Sequence, residues 1–395
     1  HVQRGFVAVQ GPPGTGKTYV GSRVIARLVR EHGWRIGVVA QSHRVIENVL
    51  DGVVAAGLDR SLVAKALSGS KPEDHAFTAL AGKGAATAFA SEHATTGFVL
   101  GGTAWDFANG ARVPRGSLDL LVIDEAGQFS LANTIAVSLA APRLLLLGDP
   151  QQLPQVSQGT HPEPVDTSAL GWVIGDHAVL PDEFGFFLGE SWRMHPAVAE
   201  PVSTLAYEGE LASHPSAALR KLDGVEPGLH VVPIEHVGNS ISSPEEAAEI
   251  VRIVREVLGR AWTEVQVDAE GTAVPQPPRP LDQTDIIVVT PYNAQLQCVR
   301  QALDAAGLAE VPVGTVDKFQ GQEAAVAIVS LAASSAADAP RGIEFLLLRN
   351  RLNVAISRAK YAAYLVHSPA LLDDLPRTPQ GVAQLSAFAR LVGVA

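Results

Sequence analysis

Gly11-Pro12-Pro13-Gly14-Thr15-Gly16-Lys17-Thr18 fits the pattern G-x-x-x-x-G-K-[ST], and its flanks give the pattern a context. The apolar run Phe6 to Val9 precedes it, and Tyr19 to Arg30, with apolar residues at helical spacing, follows it. In a strand, glycine loop and helix of this kind, successive backbone N–H groups face a phosphate, and the helix N-terminus adds its partial positive charge. Lys17 then reaches the β- and γ-phosphates and Thr18 ligates Mg²⁺, with all eight loop residues as nucleotide contacts. The loop alone does not choose among kinases, transporters, GTPases and motors, and a glycine-rich turn without a ligand is the plain alternative.

Working outward, Arg35 to Ala40 reads as a strand and Val45 to Val54 as a helix. Phe98 to Leu100, Leu118 to Ile123 and Leu144 to Leu147 are further short apolar runs. Such runs, separated by helix or loop, describe a parallel sheet buried on both faces. Ser68 to His93 is polar, rich in Gly and Ala and weakly periodic, which predicts an insertion near residues 60–95 without an assignable fold. Leu118 to Ile123 runs into Asp124-Glu125-Ala126-Gly127-Gln128, an acid pair at the end of a buried strand, where open α/β sheets bind ligands. There Asp124 holds Mg²⁺ through water and Glu125 orients and deprotonates the attacking water. The same pair also suits a helix N-cap.

The stretch Gln155 to Phe187, with Pro, Gly and acidic residues, breaks the alternation, which then restarts. Leu229 to Ile234, Asp285 to Thr290, Val326 to Leu331 and Ala362 to Val366 read as strands. Glu245 to Leu258, Ala294 to Ala306 and Leu352 to Ala359 read as helices, and Gln266 to Thr284 as an exposed hairpin or loop. The chain divides into two similar α/β halves, 1–187 and 188–395, with a boundary near Glu183 to Glu190.

Of the 395 residues, 47% are apolar and 18% charged, which supports filled cores and excludes a disordered chain. The net charge of −11 argues against a dedicated basic nucleic-acid module but not against a motor, which needs only a local positive channel. A single cysteine, Cys298, excludes an internal disulfide and Cys-rich zinc sites. No apolar run is long enough for a membrane span and no leader pattern opens the chain, so the expectation is a soluble, cytoplasmic protein.

Leu144-Leu145-Leu146-Leu147-Gly148-Asp149-Pro150-Gln151-Gln152-Leu153-Pro154, together with the acid pair, resembles motifs II and III of superfamily 1 helicases. The second half continues the set in order. Ser191-Trp192-Arg193-Met194-His195-Pro196 looks like the R-M-H-P motif, and Tyr207-Glu208-Gly209-Glu210-Leu211 like the segment that often follows it. Thr290-Pro291-Tyr292-Asn293-Ala294-Gln295, Thr315 to Glu323 and Asn353 to Lys360 complete it. The R-M-H-P form is similar to the branch containing the nonsense-mediated-decay helicase. The wording of Asp124 to Gln128 and Pro291 to Gln295 resembles the C-terminal helicase half of bacterial RecB-like nuclease–helicase fusions, which would put a nuclease domain in the same full-length chain.

The resemblance implies an α/β fold of two tandem RecA-like P-loop domains with parallel sheets. It implies ATP and Mg²⁺ as cofactors, and an ATP-dependent helicase or translocase moving 5′ to 3′ on single-stranded DNA or RNA. The alternative is an ATP-controlled clamp or remodeller that does not unwind. By the same resemblance Gln152 senses the γ-phosphate, Glu323 binds the ribose hydroxyls and Gly321 approaches the γ-phosphate through its backbone. Arg193 and Arg358 become arginine fingers from the second half, a contribution on the order of 10³-fold in rate or more. Trp192 stands where relatives commonly carry a Tyr stacked on adenine; its larger π-face keeps the stack, and an ordinary core tryptophan is the alternative.

Gln3 and Gln10 lie too close to the loop to replace the family's upstream adenine-reading Gln, which predicts a C-terminal fragment or core of a longer protein. Strand contacts fall on Ser42 and His43, on Gly102 and Thr103, and on Tyr292 and Thr315. Hydroxyls and N–H groups there would hold phosphates without reading sequence. Each position also suits an ordinary helix N-cap or loop residue.

Overall fold

A computed structural model describes residues 5–66, 75–82, 84–155, 159, 161–267, 272–319, 321–373 and 375–394. Gln3, Gln320 and residues 67–74 and 83 of the expected insertion lie outside the described residues. The chain forms two compact units. The first comprises His1–Pro12, Gly16–Pro150 and Pro154–Leu188; the second comprises Pro13–Thr15, Gln151–Leu153 and Gly189–Ala395.

The first unit is built on β1 (Gly5–Gln10), β2 (Arg35–Val39), β3 (Val63–Ala66), β4 (Thr78–Leu80), β5 (Phe98–Gly102), β6 (Leu120–Ile123), β7 (Arg143–Gly148) and β8 (Gly185–Phe187). They form one sheet of eight strands in the order β4-β3-β5-β2-β6-β7-β1-β8, parallel throughout. Successive residues of a strand point to opposite faces, and both faces here are apolar. Leu121 and Ile123 of β6 enter one core with Ala8, Phe107 and Phe129, while Leu120 and Val122 enter the other with Ile25, Ile46 and Leu50. This explains why the strands read as continuous apolar runs rather than alternating ones. Arg35 closes the start of β2 with a two-pronged ion pair to Asp119 just before β6.

Helix α1 (Lys17–His32) starts from Gly16, whose φ of 78° is left-handed and suited to glycine. Helix α2 (His43–Ala55) is capped by the Ser42 side chain, which accepts from the Val45 N–H. The described part of residues 60–95 extends the sheet edge, as β3 and β4, and adds the helix Ala85–Glu92. What hid β3 in the sequence is Lys65, a buried lysine paired with Glu47 at 2.7 Å. A charge in the middle of a four-residue strand breaks the apolar run by which strands are recognised.

The second unit holds a parallel five-stranded sheet, in the order Gly228–Pro233, Ala359–His367, Ala324–Ser330, Ile286–Thr290, Val313–Thr315. The helix Pro244–Val257 has Ser243 as N-cap and Glu245 and Glu246 in its first turn, which suits the helix dipole. It packs Ile250, Val254 and Val257 into a core with Ile286, Val288, Val326 and Ile328. Within the expected exposed stretch, Val265–Val267 pairs antiparallel with Ala273–Pro275. Among the described residues no helix is long and apolar enough to cross a membrane.

Candidate nucleotide and strand sites

In the first unit, the chemistry gathers at the C-terminal ends of β1, β7 and β6, which are neighbours in the sheet. The loop leaves β1 with the Gly11 N–H donating to Gly148 O at 2.9 Å. Lys17 sits at the start of α1, and its ammonium donates to Gly11 O at 2.7 Å, so it lies folded over the loop it belongs to. Thr18, half-buried, follows on the first turn of the same helix. The Asp124 N–H donates to Val39 O, and the Ala126 N–H to Leu147 O, which draws the acid-pair loop down onto the end of β7. That approach requires Gly148: a Cβ there would stand 2.6 Å from the Gly127 nitrogen.

Asp124 is buried and accepts from the Glu125 N–H at 3.0 Å. Burial first, and the Glu125 carboxylate second, push its carboxyl up to about 7, against the opposing pull of Lys17. Glu125 itself has a φ of 53°, a left-handed backbone rare in non-glycine residues and the kind of strain that collects at functional sites. A buried carboxyl with a second carboxylate beside it is a donor chemistry that fits a divalent cation. Gln10 is no adenine reader here. It is buried, with its amide donating to Ala178 O at 2.9 Å and accepting from the Leu180 N–H at 2.7 Å. Gln152 is buried as well.

In the second unit the remaining nucleotide candidates converge, though they are far apart in sequence. Arg193 donates to Glu323 at 2.6 Å and to Ser357 O at 3.2 Å. Lys360 approaches Glu323 at 3.2 Å and Glu264 at 2.8 Å. Burial alone would raise the Glu323 carboxyl, but the charges of Arg193 and Lys360 outweigh it and hold it at about 2. Arg358 is buried and donates to Val354 O, Phe319 O and Gln322 O, the last two on either side of Gly321 in the sequence. Trp192 is 37% exposed and stacks on His214, with ring centroids 3.4 Å apart and planes 15° apart, so it is not a buried core tryptophan. Glu323 and Arg358 immediately precede the strands Ala324–Ser330 and Ala359–His367, at the N-terminal edge of the sheet. Tyr292 and Thr315 lie at the opposite, C-terminal edge.

His214 and Lys360 are the members that sequence reasoning missed. Lys360 had a signal: it closes the Asn353–Lys360 motif itself. His214 had none.

The expected strand contacts differ among themselves. Ser42 is exposed but already serves as the cap of α2. His43 is exposed on the first turn of that helix. Gly102 ends β5, and the Thr103 hydroxyl donates to Asp106 Oδ2 at 2.8 Å in a capping box, so that hydroxyl is engaged locally. Thr315 is half-buried at its strand end. The Tyr292 ring stacks on Phe345, its hydroxyl is buried without a hydrogen-bond partner among the described residues, and burial pushes its pKa up. Arg341 and Arg351 both lie over the Phe345 ring, at 3.9 and 4.1 Å.

Residues 1–168 and 177–369 each match an AAA domain family. The chain is similar to the DNA polymerase alpha-associated DNA helicase A of Schizosaccharomyces pombe, 27% identical and covering 89% of this chain and 59% of that protein. It is 24% identical to the regulator of nonsense transcripts 1 homolog of Drosophila melanogaster, over 94% of this chain and 34% of the relative. The DNA-binding protein SMUBP-2 of Rattus norvegicus is 29% identical over 63% of this chain and 24% of its own length. The chain thus spans less than two thirds of each of these relatives.

Proposed function

We infer that this chain, which belongs with the superfamily 1 helicases, hydrolyses ATP to move along or separate nucleic-acid strands. One observation carries the reading: the loop bearing Lys17 and Thr18 and the acid pair Asp124–Glu125 follow the C-terminal ends of β1 and β6, which flank β7 in one parallel sheet, and Asp124 feels the Lys17 charge. Residues 11–18 cradle the triphosphate, with Lys17 on its terminal phosphates. Thr18 and Asp124 would hold Mg²⁺, which when bound neutralises the phosphate oxygens. Glu125 orients the attacking water and takes its proton, and Gln152 senses the γ-phosphate.

The second unit supplies the other charges. Arg193 and Arg358 neutralise what develops in the transition state, Gly321 faces the γ-phosphate and Glu323 the ribose. The exposed side of the Trp192 ring stacks on adenine, backed by His214. The strand runs over the Ser42, Thr103, Tyr292 and Thr315 positions through its phosphates, independent of base sequence. The finer reading is 5′ to 3′ movement within the nonsense-mediated-decay-like branch, on DNA or RNA, with a RecB-like nuclease domain elsewhere in the full-length protein. The Arg193–Pro196 wording supports the branch and direction, and the wording at Asp124–Gln128 and Pro291–Gln295 supports the nuclease domain.

The test is ATP turnover titrated with single-stranded DNA and with RNA, alongside strand displacement on duplexes with 5′ or 3′ tails. Stimulation by at least one strand is expected, with displacement from 5′ tails. Turnover indifferent to every strand would sink the motor reading. Stimulation without displacement would leave a clamp.

A further inference from the structure

The first unit carries an open groove of about 910 Å³ at the C-terminal ends of β3, β4 and β5, lined among others by His43, Gly102, Thr103, Trp105 and Arg112. Trp105 is 85% exposed, and no other aromatic among the described residues is more so. A tryptophan is highly buried on average, so a ring this bare, beside a groove, calls for an occupant.

Its base is rigid. Trp105 lies in the helix Ala104–Ala108, whose Phe107 is buried in the core beneath. The helix start is locked by Asp106, which accepts from both the Thr103 N–H and the Thr103 hydroxyl at 2.8 Å. Arg112 pairs with the same carboxylate, so this acidic side chain in the groove is compensated and does not repel an anion. The Thr103 hydroxyl is committed to this clamp, which leaves the indole as the conspicuous group offered to a ligand.

We propose that Trp105 is a stacking platform for one base of the single strand, with Arg112 and the backbone around Gly102 beside the neighbouring phosphate. This rests on the strand-dependent reading above and adds to it a contact made with a base rather than the backbone. Stacking tolerates any base because every base has a π-face, which suits sequence-independent movement. A protein surface is the competing occupant, but the groove shares its sheet edge with the phosphate loop and the acid pair, where a bound strand would be coupled to hydrolysis.

The experiment titrates ATP turnover with oligo(dT), with oligo(U) and with an oligo(dT) containing abasic sugar-phosphates. W105A is expected to raise the half-stimulating concentration of the intact strands by roughly 10-fold, with the plateau still reached, and W105F to recover most of that loss. Abasic strands should weaken wild type toward the W105A value and leave W105A nearly unmoved. Indole emission should be quenched by strand in wild type and much less so in W105F. If wild type is stimulated but W105A titrates like it, the proposal falls and the ring belongs to a protein contact. If no strand stimulates wild type, the helicase reading falls and takes this proposal with it.

Discussion

Asp124 in the first unit and Glu323 in the second are both carboxyls among the candidate nucleotide contacts, with opposite electrostatics. Asp124 is buried beside Glu125, with Lys17 as the opposing charge, and is pushed up to about 7. Glu323 has Arg193 and Lys360 against it and is held at about 2. The first is penalised by burial and by the like charge beside it. The second is already balanced, and it uses its charge to hold Arg193 in place. The contrast between them is one of surroundings: a like charge beside the first, opposite charges against the second.

The sharpest way to break this contrast is to remove the charges proposed to contact phosphate. Lys17→Ala should reduce ATP turnover by on the order of 10³-fold or more while the melting temperature stays close to wild type. Normal turnover would remove the phosphate-loop role. Arg358→Ala should slow hydrolysis by about 10³-fold with nucleotide affinity largely kept, measured as single-turnover rate against equilibrium binding. A pure binding defect would count against the finger role. Because Arg358 is buried against three carbonyls, this variant should also melt earlier than Lys17→Ala.

Stability should separate the two carboxyls by sign. Without nucleotide or Mg²⁺, Asp124→Asn should raise unfolding stability by on the order of 1 kcal/mol, as expected when a costly functional charge is removed. Glu323→Gln should lower it by about 1 kcal/mol, since the Glu323 side chain is partly exposed and solvent screens its ion pairs. Shifts of the same sign would refute the contrast.

The remaining test is the pH profile. The folded value of Glu323 lies below its ordinary 4.5, so its contribution is complete above about 4.5 and is lost as pH falls toward about 2. Wild type should therefore lose about 1 kcal/mol more than Glu323→Gln across that window, read from chemical denaturation at each pH. Parallel profiles would show that the cluster does not stabilise the fold.

Legibility followed locality. The phosphate loop, its flanking strand and helix, and the acid pair lie within single strand–loop units, where residue type and spacing carry the geometry. β3 escaped notice because Lys65 interrupts it, and the lysine is tolerated only through Glu47 from another element. Gln10 sits beside the loop in sequence, yet its amide is taken by Ala178 and Leu180. Thr103 matched a strand-contact position by type, while its hydroxyl turned out to serve Asp106 and the exposed group proved to be Trp105.

The linear order of residues was enough to mark the phosphate-loop pattern and the doubled parallel α/β plan, because both rest on neighbours along the chain and on the burial of short apolar runs. Which charges end up compensated was settled only on folding. Arg193, Glu323 and Lys360 come from distant segments, and Coulomb energy depends on the separation in space that the fold imposes, to which separation along the chain is no guide.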